Sequence, residues 1–147
     1  MVNSDPNLLR QYELLVNSAI QVTGWRQTAN GFYLTVNTTL LAVASYLFGP
    51  SPSTAQVIGI IGVVVSILWY QNINYFRNLN SAKFKVIHSI EKKLPVQMFK
   101  LEDDIFKKEK GKYSTQIEKW VPLLFALAYG IVLILPMLPN LIQLIKF

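Results

Sequence analysis

Cysteine is absent from this chain, and histidine occurs once, at His88. Without cysteine no disulfide staples any part of it, and a thiolate metal site is excluded. His88 has no HExxH companion, and no GxSxG, GxxxxGKS/T or GxGxxG run occurs. A zinc site, a nucleophile elbow and a nucleotide loop are therefore not expected. The chain reads as non-enzymatic, with no cofactor and no metal.

Charge is scarce as well, at 15% of the 147 residues, where a soluble domain carries roughly a quarter. Its distribution is the stronger fact. No Asp, Glu, Lys or Arg stands between Arg26 and Arg77, and none between Lys119 and Lys146. Within those gaps lie three apolar segments, 31–48, 55–70 and 120–138. A helix needs about 20 apolar residues to cross a hydrocarbon core of about 30 Å. The first and third segments come close, and the second reaches that length if it runs on to about residue 76. Three transmembrane helices are expected, in an all-α fold. Trp69, Tyr70, Tyr75 and Trp120 would then lie at one end of their helices, where interfacial aromatics gather.

What charge there is sits on one side. Arg77 to Lys119 holds eleven Lys and Arg against six Asp and Glu, while Gly49–Thr54 has none. The positive-inside rule places the N-terminus and residues 77–119 in the cytoplasm and the C-terminus outside. No basic n-region and no small-residue cleavage site precede the first span, so it reads as an anchor. A bacterial inner membrane suits this pattern. The lysines would meet anionic lipid headgroups, and acidic residues interrupt the basic run, which argues against nucleic acid.

Outside the spans the pattern predicts a helical cytoplasmic stalk. Asp5 and Pro6 signal a helix start. From there Leu8, Tyr12, Leu15, Ala19 and Val22 recur at 4, 3, 4 and 3, one apolar face of an amphipathic helix over 1–30. Neither Gly nor Pro occurs from Gln71 to Leu94, so the second span is expected to continue as one helix to about residue 93. Such a helix is about 58 Å long at the α-helical rise. Tyr75, Leu79, Ala82, Val86 and Ile90 are its expected stripe, packed on the N-terminal helix. Residues 94–119 read as a cytoplasmic loop region with a short amphipathic turn near Met98–Phe106 and a solvated loop at Lys107–Lys112. Glu102, Asp103 and Asp104 read as a charge-balancing patch. Thr115 and Glu118 fit a capping box before the third span, and 139–147 reads as an outer tail.

Small and polar residues inside the spans carry the rest. Ala55, Gly59, Gly62 and Ser66 repeat at 4, 3 and 4 on the second span. Lipid tails supply no hydrophobic drive for helix pairing, so a stripe that permits close backbone approach marks a tight helix contact, within the chain or between chains. In the first span Thr35, Asn37, Thr38 and Thr39 cluster. Asn37 is costly against lipid, so it either bonds another helix or lines a polar path.

The run Tyr75–Pro95, above all Leu79-Asn80-Ser81-Ala82-Lys83-Phe84-Lys85-Val86-Ile87-His88, resembles the bacterial RipA-like family of octameric membrane proteins, which is distinct from the peptidoglycan hydrolase of that name. Arg26–Asn30, Asn37 and Glu118–Pro122 are similar to it too, and the likeness covers about Leu9 to Ile134. It implies a homo-oligomer, an eight-membered ring, with no catalytic site. A looser similarity to small membrane effectors of bacterial defence implies a defence or stress role. Two functions remain open: a pore or channel-like assembly, or a non-conducting scaffold whose cytoplasmic helices recruit a protein partner.

Overall fold

A computed structural model of the chain describes residues 6–110 and 113–137. Among these the fold is all-α: α1 Pro6–Leu47, α2 Pro52–Glu91, α3 Met98–Lys110 and α4 Tyr113–Ile134, the last followed by a 3-10 turn, Leu135–Met137. Asp5 and the tail after Met137 fall outside the described residues, and α4 begins at Tyr113, so Thr115 lies inside the helix instead of capping it. Two stretches are long and apolar enough to cross a membrane, Pro52–Glu91 and Ile117–Met137. Residues 31–48, interrupted by Tyr33, Thr35, Asn37, Thr38 and Thr39, are less apolar and are not among them.

The helix ends follow local chemistry. Gly49 and Pro50 stop α1, and Ser51 opens α2, its hydroxyl 2.8 Å from that of Thr54 with Pro52 at the first helical position. α2 then runs unbroken to Glu91. Pro122 lies inside α4, where it removes one backbone donor, and Pro136 coincides with the change from α to 3-10 geometry.

The chain divides into two units, and α1 and α2 contribute to both. Unit 1 is Met1–Thr28 with Ile73–Ile117, and unit 2 is Ala29–Asn72 with Glu118–Phe147. Unit 1 is centred on Tyr12, Ala19 and Ile87, with Leu15, Val16, Phe84, Ile90, Leu94 and Phe99 around them. The face expected on α1 is the buried one: Tyr12, Ala19 and Val22 are buried, and Leu8 and Leu15 half-buried.

The face expected on α2 is displaced. Tyr75 and Val86 are exposed and so is Ala82, while Leu79 and Ile90 are half-buried. The buried line instead runs through Ile73, Ile87 and Glu91, all at 0% exposure. A stripe drawn through apolar residues alone misses it because the line ends on a carboxylate. Lys83 joins the same contact, its Nζ donating to Ser18 Oγ at 2.6 Å.

A second correction concerns the segment read as a loop region. α3 takes in Lys107–Lys110, and its charges lie at helical spacing. Lys100 pairs with Asp104 at 2.9 Å and Lys107 with Asp103 at 2.5 Å, each four residues apart. Both pairs are exposed and screened by solvent, so they shape the surface rather than fixing the fold.

Candidate functional site

In unit 2 the small-residue stripe of α2 packs against α4 of the same chain. Ala55 is fully buried beside Ala44 and Val132. A Cβ on Gly59 would meet Leu133 Cδ2 at 3.2 Å, a tight fit. One on Gly62 would fall within the ring of Tyr129, which is itself fully buried. Ser66 completes the stripe, donating its hydroxyl to Gly62 O at 2.8 Å and to Asn37 Oδ1 at 2.9 Å. These four residues are the seam of a three-helix contact inside one chain, the intrachain form of the tight contact their spacing predicts.

Asn37 lies at the centre of that contact and is fully buried, so within the chain it joins helices instead of lining an open path. Its Nδ2 donates to Tyr33 O at 2.9 Å, its Oδ1 accepts from Ser66, and its carbonyl accepts from Tyr129 Oη at 2.7 Å. With every polar group bonded, the apolar surroundings cost little. A second network ties the same three helices. Trp69 Nε1 donates to Asn30 Oδ1 at 2.9 Å, and Asn30 Nδ2 donates to Glu118 Oε1 at 2.6 Å. Trp69 is therefore interior, stacked on Tyr33 at 6.1 Å, and not one of an interfacial belt; Trp120 is exposed. Lys119 sits 5.7 Å from the centroid of the Tyr70 ring, in cation-π range. Spacing alone did not reveal the roles of Asn30, Trp69, Glu118 and Tyr129, because their partners lie 39 to 92 positions away.

The outer face of α1 in this unit has a different composition. Gly31, Thr35, Thr38, Ala42 and Ser45 recur at 4, 3, 4 and 3 and are all exposed. Each hydroxyl bonds back to its own helix: Thr35 to Gly31 O at 3.0 Å, Thr38 to Leu34 O at 2.6 Å and Ser45 to Leu41 O at 2.8 Å. Nothing lies within 4 Å of a Cβ built on Gly31. The face is smooth, narrow and weakly polar.

Unit 1 turns on Glu91. One of its oxygens accepts from Tyr12 Oη at 2.9 Å and from Phe99 N at 2.8 Å; the other accepts from Lys100 N at 3.0 Å. The last two donors are first-turn amides of α3, which have no partner within their own helix. A carboxylate there also meets the positive end of the helix dipole. Glu91 thus caps α3 from the end of α2 while holding α1 through Tyr12. The signal for it was its position, four residues beyond buried Ile87 on the buried side of α2. Tyr12 is pushed up to about 12, first by burial and then by its hydrogen bond to, and the charge of, Glu91. A phenol whose folded value lies above its unfolded value stabilises the fold fully below pH 10 and loses that contribution as pH rises toward 12. Unit 1 is expected to loosen in that window. Tyrosinate absorbance and helical circular dichroism should change together there in the wild type, and the Tyr12→Phe variant should lack that titration.

These features define a helical chain with apolar helices of membrane-spanning length, joined by hydrogen bonds at Asn30, Asn37 and Ser66, a construction suited to a bilayer. Residues 9–138 match the octameric membrane protein family (8xMP), and the chain belongs to that family. It is accordingly a membrane protein, and the family description implies a homo-oligomer of eight. No curated protein and no solved structure matches it significantly.

Proposed function

We propose that eight copies of this chain form a ring in a bacterial inner membrane, each crossing it three times, around a pore-like axial path. α1 supplies the third span with its residues 31–48, and unit 1 hangs below the membrane as a cytoplasmic stalk. The observation that carries this reading is the outer face of α1, where Gly31, Thr35, Thr38, Ala42 and Ser45 are exposed in register. Eight helices in a ring at ordinary packing distances have their axes roughly 10–13 Å from the centre, which leaves an opening of roughly 5–8 Å radius. Lined by hydroxyls already bonded to their own helix, such a path holds water without binding an ion tightly. No formal charge lies in the spans, so the path would select weakly. Nothing in this assembly calls for catalysis.

A scaffold is the second reading, favoured by one observation. Met98, Leu101 and Ile105 are exposed on α3 at helical spacing, a face that a protein partner would cover.

The test uses the absence of native cysteine. Ser51→Cys and Lys108→Cys report orientation, since an impermeant thiol reagent should reach 51 from outside intact cells and fail at 108. Thr38→Cys reports the path. In bilayers the purified octamer should carry current, and a charged thiol reagent should reduce the current of that variant alone. An octamer that stays silent across voltage and stress conditions, with position 38 cross-linking between subunits, would leave the scaffold.

A further inference from the structure

Unit 1 contains a cleft of about 640 Å³ that none of the roles above uses. Its walls come from the middle of α1, one face of α2 and the side of α3. Arg26, Arg77 and Lys85 line it together with Asn80 and His88. Of the two carboxylates present, Asp103 is already matched by Lys107 at 2.5 Å, which leaves Glu102 against Arg77 and Lys85, with Arg26 beside them. The cleft therefore has a positive balance. Asn80 Oδ1 and His88 Nε2 lie buried in this wall without a hydrogen-bond partner, a costly arrangement unless something supplies one. The floor is apolar: Phe84 packs edge-on against Phe99 at 5.9 Å and against His88 at 6.2 Å.

Guanidinium and ammonium groups with polar side chains beside an apolar floor are the chemistry of phosphate recognition. Position adds a further argument. Arg26 and Arg77 are the two residues that bound the longest charge-free stretch of the chain, so the cleft begins where the apolar sequence ends.

We propose that this cleft binds a phosphate-bearing anion, either the phosphodiester of an anionic lipid headgroup or a free phosphate. Arg77 and Lys85 supply charge, while the polar side chains of His88 and Asn80 line the same cleft. The lipid source rests on α2 spanning the membrane; the free-phosphate source does not.

The experiment uses the full chain in a neutral detergent. Native mass spectrometry measures retention of phosphatidylglycerol against phosphatidylcholine, and phosphorus NMR measures saturable binding of inorganic phosphate. Wild type should retain phosphatidylglycerol selectively, and Arg77→Gln/Lys85→Gln should weaken that retention by about tenfold or more, at unchanged oligomer mass. Glu102→Gln removes the opposing carboxylate and should strengthen it several-fold, a gain that misfolding does not produce. Phosphate binding that is lost in the double variant, without lipid retention, assigns the free anion as the source. Equal retention by all three proteins, or binding of neither probe, overturns the site. Oligomer mass and bilayer current, read on the same preparations, report separately on the ring and the pore.

Discussion

Gly62→Leu is expected to take apart the three-helix contact of unit 2, and Gly62→Ala to weaken it by about 2–4 kcal/mol from overpacking and a lost hydrogen bond. The added Cβ falls within the ring of Tyr129. That ring is fully buried, and its hydroxyl is tied to Asn37 O at 2.7 Å. It has no room to slide, so it must leave its place and give up the bond. Alanine recovers about 1 kcal/mol of helix propensity over glycine, too little to reverse the sign. Val64, two positions along and exposed, provides the control: Val64→Leu should melt like wild type in detergent. Combining Gly62→Ala with Tyr129→Val should restore part of the loss, because the two changes address one volume. A Gly62→Ala protein that melts at the wild-type temperature would mean Tyr129 does not pack there.

How far the sequence reveals this arrangement depends on where each side chain finds its partner. The apolar stretches and their helices follow from periodicity and from the missing charges, since those signals are local. The stripe Ala55, Gly59, Gly62 and Ser66 is legible for the same reason, but its partner is not, because small residues accept any close helix. Asn37 shows the limit from the other side. Its cost against lipid is apparent at once, yet only the fold reveals that Ser66 and Tyr129 meet it. On α2 the stripe through Tyr75, Ala82 and Val86 misses the buried face because it follows apolar residues alone, and the buried line ends on Glu91. The end of α3 was hidden by its lysines, which read as loop until Lys107 is seen four residues from Asp103. The outer face of α1 was equally available to counting, but two of its five residues, Thr35 and Thr38, were grouped with Asn37.

The anchoring of α3 leads to the second large effect. Glu91→Ala is expected to release α3 from unit 1, at a cost of several kcal/mol, because it strands three donors at once: Tyr12 Oη and the amides of Phe99 and Lys100. Each hydrogen bond to a charged acceptor contributes roughly 1.5–3 kcal/mol, and the first turn of α3 loses its favourable charge as well. Water can reach the two amides only if the turn opens, so relief and local unfolding are the same event. Glu91→Gln separates charge from shape. One oxygen remains to accept, but the new amide nitrogen turns donors toward donors on the other side, so this variant should lose about half as much. Asp104→Asn, which removes only the exposed, solvent-screened pair with Lys100, should leave stability close to wild type. Hydrogen exchange at Phe99 and Lys100, with proteolysis over residues 95–108, should rank the proteins as wild type, Asp104→Asn, Glu91→Gln and Glu91→Ala in falling protection. Unit 2 should keep its protection throughout, since none of its networks involves Glu91. Full protection of α3 in Glu91→Ala would show that the apolar contacts of Phe99 with Tyr12 and Phe84 hold the helix without its cap.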